Sequence, residues 1–327
     1  MHRIGFLLGD GFQVMALAPQ SVFEYANIVV GETFYRLENY SAAGGEVRSS
    51  LGLAVGTRSL RGRIDVDTWI VAGVNDPLAS PAPRDVLAFL RRAATRARRI
   101  AGVCTGAFVL AQAGLLAQRR ATTHWAYSSE MQKRYPDIRV EADRIYIVDG
   151  PVWTSAGMTA GLDLALAMVE KDLGAETARS VAHKLVMHQR RAGGQSQHSE
   201  MLELAPKSDR IQRALNYASQ NLTRPLTVEE LAETVHLSPR QFSRVFALET
   251  GQSPAKAIER LRLEAARLMI EQSRHPLEVI ARESGFSDRR HLREAFLRGF
   301  GVPPQALRRD ARADARGRQD IGVFPPG

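Results

Sequence analysis

The chain has almost nothing with which to build a covalent framework, since its 327 residues include one cysteine, Cys104. An internal disulfide is excluded, and with it the small stapled scaffolds of secreted proteins. Aromatic residues are sparse at 7%, with three tryptophans. No N-terminal apolar run is long enough for a signal peptide, and no stretch approaches the roughly 20 apolar residues that span a bilayer. A cytoplasmic protein without membrane contact is the expectation. Neither sign of charge dominates, because 44 basic residues against 35 acidic leave a net +9. Residues 1–192 carry 23 basic and 18 acidic groups, which leaves 21 and 17 for residues 193–327. The excess is spread along the chain; it suits a polyanionic partner without requiring one.

What the chain does have is one pattern written twice near its C-terminus. LTVEELAETVHLSPRQFSRVFALETGQSP runs from Leu226 to Pro254, and PLEVIARESGFSDRRHLREAFLRGFGVPP from Pro276 to Pro304. Leu231-Ala232 and Leu237-Ser238 match Ile280-Ala281 and Phe286-Ser287 at an offset of 49. One extra residue in the second copy makes the offset 50, pairing Phe246 with Phe296, Gly251 with Gly301 and Pro254 with Pro304. A repeat of this length is a structural unit used twice.

Each copy reads as a short amphipathic helix, a tight turn and a second helix. Val228, Leu231, Ala232 and Val235 fall at helical spacing. The turn follows at Val235-His236-Leu237 or Ser284-Gly285-Phe286, where a glycine supplies positive φ without steric cost. Ser238 and Ser287 are the expected caps of the second helices. In the first copy Pro239 suits the first helical position and Gln241 completes a capping box. Burial of Phe242, Val245 and Phe246, or of Leu292, Ala295 and Phe296, turns a polar face outward. That face offers Arg240, Gln241, Ser243 and Arg244 in the first copy, and Asp288, Arg289, Arg290, His291 and Arg293 in the second. Such a helix fits the major groove, where Arg reads guanine, Gln reads adenine and other basic groups hold phosphates. The alternative for any single arginine is a solvated helix face.

Between the copies, Ala255 to Gln272 is an unbroken helical pattern with Ile258, Leu261, Ala265, Leu268 and Met269 on one side. Its length is about 27 Å, near the roughly 34 Å of one duplex turn. Asp209 to Asn221 reads as an opening helix. The stretch from about Asp209 to Arg309 resembles the DNA-binding domain of the AraC/XylS family of transcription regulators, with IARESGFSDRRHLREAFLRGFGVPPQALRR as its signature. The resemblance implies that the helix from Asp288 to Arg298 contacts DNA alongside the first copy's second helix. His236 in place of a turn glycine, and GQSP in place of GVPP, are the first copy's departures.

Residues 1–192 read as α/β. Apolar strands are expected at Arg3–Leu8, Thr68–Ala72 and Arg98–Val103, and helices at Asp85–Arg96 and Gly106–Ala117. A late hairpin follows at Arg144–Val148 and Val152–Ser155, then helices at Ala160–Lys171 and Val181–Arg190. Apolar strands alternating with helices argue for a mainly parallel sheet covered on both faces. Residues 193–208 are the expected linker, and the tail from 310 to 327 lacks core-forming periodicity.

Cys104 falls between the strand ending at Val103 and the helix beginning near Gly106, a strand-to-helix elbow whose helix N-terminus favours a thiolate. Gly102 and Gly106 permit close packing there. His124, in TTHW, comes near if Ala121–Thr123 is the next strand, as a Cys-His nucleophile would require. AGVCTGAFVLAQAGLL, TTHW and TSAGMTAGLDLAL resemble the DJ-1/PfpI superfamily, related in fold to class I glutamine amidotransferases. The resemblance implies a flavodoxin-like sandwich ahead of the all-α AraC-type domain, with the family's reactive thiol at Cys104 and its histidine at His124. Two departures weaken catalysis. Peptidase-like members carry histidine where Thr105 stands, and no acid lies between Gly11 and Pro19.

The two domains together resemble the GlxA/FtrA-type group of regulators. That resemblance implies an activator of a catabolic operon that answers to a small nitrogenous metabolite such as arginine, carnitine or glycine betaine. The expected partners are promoter DNA, a small-molecule effector, RNA polymerase and a second copy of the chain, since two linked DNA-binding modules gain effective concentration on a repeated site. No cofactor and no metal are expected. Cys104, Thr105, His124 and Trp125 are the effector-site candidates. A quaternary amine wants an aromatic cage, for which Phe12, Tyr25, Trp69, Trp125 and Trp153 are available. The readings left open are a cysteine-dependent hydrolase or glyoxalase-like enzyme, or a redox sensor, joined to a DNA-binding module, and a DNA binder that needs no ligand.

Overall fold

The computed structural model describes residues 1–62, 64–187, 191, 193, 197, 204 and 206–309. The expected tail, most of the linker and the end of the helix drawn to Arg190 lie outside the described residues. The chain divides into two compact units, Met1–Gln197 and His198–Ala313.

In the first unit the elements run β1 (His2–Leu7), α1 (Pro19–Val30), β2 (Tyr35–Ser41), β3 (Gly45–Arg48), β4 (Ala54–Ser59), β5 (Thr68–Val71), α2 (Arg84–Ala94), β6 (Arg99–Val103) and α3 (Gly106–Gln112). They continue with β7 (Arg120–Ala121), α4 (Trp125–Arg134), β8 (Arg139–Val140), β9 (Tyr146–Asp149), β10 (Val152–Ser155) and α5 (Met158–Lys184). Eight strands form one sheet in the order β3-β4-β2-β1-β5-β6-β10-β9. The six central strands are parallel, and the two edges, β3 and β9, pair antiparallel. The order β2-β1-β5-β6-β10 is the flavodoxin-like winding, with the expected hairpin at β9 and β10. One face packs Phe23, Trp153 and Leu164 into a core beneath α1 and α5, and the other packs Trp69, Leu90 and Phe108 beneath α2 and α3.

The sequence pattern predicts β1, β5, β6 and the hairpin to within two residues, because fully buried strands are apolar throughout. It does not predict α1, α4 or β2 to β4. The sequence YRLENYS of β2 is largely polar, and β4 alternates exposed with half-buried positions toward the sheet edge. Two helices differ from expectation. α3 stops at Gln112 rather than Ala117, and Gly114 at φ +77° reverses the chain. α5 runs past Lys171 to Lys184 but is broken at Gly174 (φ 88°, ψ 165°), which is not helical, so the segment is two helices and the second, expected from Val181, begins just after that break.

A buried ionic cluster ties α5 to the N-terminal ends of the strands. The Asp172 carboxylate, 0% exposed, accepts from Arg99 and from Tyr35 Oη at 3.0 Å, and pairs with Arg98 at 3.1 Å. Arg99 Nε donates to Thr68 Oγ1 at 2.8 Å, and the guanidinium lies 5.6 Å from the Trp153 ring centroid. His2 Nε2 meets the same threonine hydroxyl at 2.8 Å; burial, then the Arg99 charge, holds its imidazole down at about 4.

The second unit contains α6 (Asp209–Gln220), α7 (Val228–Glu233), α8 (Pro239–Thr250), α9 (Pro254–Gln272), α10 (Leu277–Glu283) and α11 (Arg289–Phe300). The expected capping box is present: Ser238 Oγ accepts from Gln241 N–H, while Gln241 Oε1 accepts from Ser238 N–H. In the second copy the cap is Asp288 and not Ser287, with Oδ1 accepting from His291 N–H at 2.8 Å. The extra residue lies between turn and helix, which moves the cap one place along.

Two separate cores share the connecting helix α9. Ala257, Ile258 and Leu261 join α6, α7 and α8 around Phe242 and Phe246. Leu263, Ala266 and Ile270 join α10 and α11 around Phe286, Leu292 and Phe296. The single apolar side expected for this helix, including Ala265 and Leu268, is thereby corrected. Both of those are half-buried, and the buried stripe changes face between Leu261 and Leu263 because each half serves a different core.

Candidate nucleic-acid interface and effector site

Helices α8 and α11 turn their apolar sides inward. Phe242, Phe246, Leu292, Ala295 and Phe296 are at most 1% exposed. Opposite them Arg240, Gln241, Arg244, Arg289, Arg290, His291 and Arg293 are exposed, as is Asp288 just before α11, while Ser243 is half-buried. These residues have different commitments. Among the described residues Arg240, Arg244 and Arg293 form no ion pair, which leaves their charge for an outside anion. Arg289 pairs with Glu278 at 3.1 Å and Arg290 with Glu294 at 3.0 Å. Such solvent-screened surface pairs hold their partners weakly and yield readily to a phosphate. Gln241 and Asp288 are occupied as caps. Bonds from the backbone N–H groups of the α11 first turn hold the Asp288 carboxyl below its usual range, so its anionic charge serves the helix terminus.

At the carboxyl end of the other unit's sheet, the loops following β1 and β5 face one another across the point where strand order reverses. This is where doubly wound folds bind ligands. Gln13 N–H donates to Gly73 O at 3.0 Å, and Gln13 Nε2 to Asn75 Oδ1 at 2.9 Å. Tyr127 Oη donates to Asn75 O at 2.8 Å. The elbow enters the same region with Cys104 at φ +56°. Its tightness explains the flanking glycines, since a Cβ on Gly106 would stand 2.2 Å from Val71 O and one on Gly102 would stand 2.8 Å from Ala107 N.

The elbow residues are fixed in ways the linear motif does not convey. Cys104 is 2% exposed, and burial pushes its thiol up to about 11 against the lowering pull of Thr105 N–H. The helix N-terminus therefore acts in the expected direction, but desolvation outweighs it. Thr105 Oγ1 donates to Val74 O at 2.6 Å, and Thr123 Oγ1 to Cys104 O at 3.1 Å. His124 is the N-cap of α4, with Nδ1 accepting from Ala126 N–H at 3.3 Å. Its ring lies 5.6 Å from Trp125 and 6.3 Å from Tyr127. Of the cage aromatics, Trp69, Trp153 and Phe12 are core residues at 2% exposure or less, and Tyr25 is half-buried against the core. Trp125, 55% exposed, is the one open to solvent.

A thiol at about 11 is almost wholly protonated near neutrality. Alkylation of Cys104 by iodoacetamide is expected to accelerate about tenfold per pH unit from 7 to 10. A plateau near pH 8, followed by mass spectrometry, would contradict this environment.

Several residues of this region are not legible as site residues in the sequence. Gln13, Asn75 and Tyr127 carry no motif. Gln197 lies in the expected linker, yet its Nε2 donates to Ala142 O at 2.7 Å and Thr123 O at 3.0 Å, and its Oε1 accepts from Trp125 N–H at 2.9 Å. Arg191 N–H and Nε each reach the fully buried carboxylate of Asp163 at 2.9 Å. Among the described residues no group of three or more His, Cys, Asp or Glu side chains is arranged to hold a metal ion.

A doubly wound α/β unit carrying a cysteine elbow, joined to an all-α unit with two helix-turn-helix elements, defines a class of DNA-binding regulator. Residues 2–171 match the DJ-1/PfpI family and residues 231–310 match a helix-turn-helix domain. The HTH-type transcriptional regulator GbdR of Pseudomonas aeruginosa is 30% identical over 99% of this chain and 88% of its own. GlxA of Rhizobium meliloti, another HTH-type transcriptional regulator, is 30% identical over 94% of this chain and 96% of its own. In fold, 57% of this chain is similar to the whole of the crystal structure of an AraC family transcriptional regulator from Pseudomonas putida (TM-score 0.51, 22% identity). The chain belongs to the GlxA/GbdR-type transcriptional regulators, in which a DJ-1/PfpI-like domain precedes an AraC/XylS-type DNA-binding domain.

Proposed function

We propose that this regulator senses a small nitrogenous metabolite at the carboxyl end of its sheet and answers by activating transcription. The observation that carries this reading is a pair of buried acceptors at that end. Gln13 Oε1 and Ser155 Oγ are shielded from solvent and have no hydrogen-bond partner among the described residues. A buried polar atom without a partner costs about 1–3 kcal/mol, and an amine or guanidinium would supply the missing N–H donors. Gln13 is linked through Asn75 to Tyr127, and so to the His124–Trp125 aromatic pair. The partly exposed Trp125 face suits a cation.

The reading assigns sensing and dimerisation to residues 1–192, passage of the signal to residues 193–208 and DNA binding to residues 209–309. Arg240, Ser243, Arg244, Arg289, Arg290, His291 and Arg293 are its DNA-contacting side chains. Cys104 and Thr105 shape the elbow, and His124 and Trp125 face the effector. Coupling is supported by Gln197, which ties the chain leaving the α/β unit to the His124–Trp125 turn. A ligand that favours one arrangement of that turn biases the segment beyond it. The activated protein recruits RNA polymerase as a dimer at a repeated site.

Arginine, which carries N–H donors, is the first compound to test by thermal unfolding of the full chain; carnitine and glycine betaine, whose quaternary nitrogens carry none, test the Trp125 face alone. One of them at 100 times its Kd is expected to add about 2.7 kcal/mol to the first unit. Trp125→Ala should weaken that compound about 3- to 30-fold, and Gln13→Leu should weaken an N–H donor. Failure of every nitrogenous cation to shift the transition, or a shift indifferent to both substitutions, would refute the site.

A further inference from the structure

We propose that Arg262, together with the Gly285 turn packed against it, sets the spacing between the two DNA elements that the protein reads. The inference rests on both helix-turn-helix units contacting DNA.

Arg262 lies in the connecting helix α9 between Leu261, the last of its residues in the first core, and Leu263, the first in the second. Two cores joined by one helix form a dumbbell, and the helix alone leaves each end free to rock by local bending. Arg262 closes the joint. Its Nε donates to Leu222 O at 3.1 Å and its Nη2 to Arg224 O at 2.8 Å, both in the loop between α6 and α7 of the first helix-turn-helix unit. That loop is braced from its other side, where Arg224 bonds Tyr217 Oη at 2.7 Å and pairs with Glu230.

The second unit reaches the same point through its turn. A Cβ on Gly285 would stand 1.8 Å from Leu222 O and 2.6 Å from Arg262 Nε. The equivalent turn residue of the first unit is His236, at φ +54° and exposed. Positive φ alone therefore does not demand glycine at this turn. What demands it in the second copy is the approach of another unit's backbone. The turn of the second unit, the loop of the first and the guanidinium of the connecting helix meet at one place, where Arg262 bonds the loop and the Gly285 turn packs against both. Partial burial lowers its guanidinium from the usual range, in keeping with a charge turned inward onto carbonyls.

Arg262 is a positioning residue with no DNA contact of its own. Each base pair inserted between two elements rotates them by about 34° and separates them by about 3.4 Å. A rigid pair of units resists that displacement, while a loosened pair follows it.

The test uses the full-length chain and a bipartite duplex that it selects from a randomised pool. Binding is measured on that duplex, on versions with one to three base pairs inserted between the elements, and on each element alone. Wild type is expected to lose about tenfold or more on a two-base-pair insertion. Arg262→Ala should lose less than about threefold, with single-element binding unchanged and helicity retained. Arg262→Lys, which keeps the charge without the fork, should recover only part of the discrimination. If Arg262→Ala discriminates spacing as wild type does, the joint is refuted while two-unit reading stands. If wild type accepts every insertion yet binds each element alone more weakly, the joint is refuted while two-unit reading stands. If wild type selects a single element, two-unit reading fails and the joint falls with it.

Discussion

Replacing Asp172 by asparagine is expected to cost the first unit about 3–5 kcal/mol. The substitution keeps the shape and removes the charge that neutralises Arg99, itself 2% exposed, and Arg98. Breaking one partner of a buried pair leaves the other desolvated and uncompensated, a larger loss than the pair's net contribution. For a unit of this size the melting temperature should fall by about 6–20 °C. A fall below 3 °C would mean that water reaches Arg99 and that the cluster is not the pin described. The double variant Arg99→Met with Asp172→Leu should recover most of the loss, because no buried charge then remains.

Removing charge from one recognition helix in each copy should have the second large effect. The double variant Arg240→Ala and Arg293→Ala is expected to weaken binding to the selected promoter duplex about 100-fold. Its salt dependence should become shallower by about two units of slope, since each phosphate contact contributes about 0.9. The choice follows from commitments within the structure: both side chains are exposed and form no ion pair among the described residues. Arg91→Ala with Arg92→Ala removes the same charge from exposed positions of α2 and should leave affinity and slope nearly unchanged. Equal losses in the two double variants would reduce the effect to net charge and remove the assignment to α8 and α11.

Legibility differed between the two halves for a physical reason. The helix-turn-helix units are local. Their caps, turns and apolar spacings fall within about 30 residues, so Ser238, Gln241, Phe242 and Phe246 could be placed from the pattern. The one local error, the cap at Ser287 instead of Asp288, followed from the position of a single inserted residue. The α/β unit is assembled from distant segments. Its buried strands announced themselves by composition, whereas β2 to β4, near the edge and partly polar, did not. The elbow was visible at Cys104 because a Gly-x-Cys-x-Gly turn is also local. The groups around it were not: Gln13 and Asn75 come from two separate loops and Tyr127 from helix α4.

The sequence by itself determined the class of protein, because a doubled helix-turn-helix pattern and a cysteine elbow are written in neighbouring residues. Tertiary structure alone decided which side chains have chemistry to spare. Trp69, Trp125 and Trp153 are equivalent as letters, but two fill the cores and one meets solvent. Cys104 sits at a helix N-terminus that favours its thiolate, yet burial keeps the proton on it. Gly285 reads as a turn glycine like any other until Leu222 O is found where its Cβ would be. Desolvation and close approach depend on every chain segment that arrives at a point, and segments distant in sequence meet only in the folded molecule.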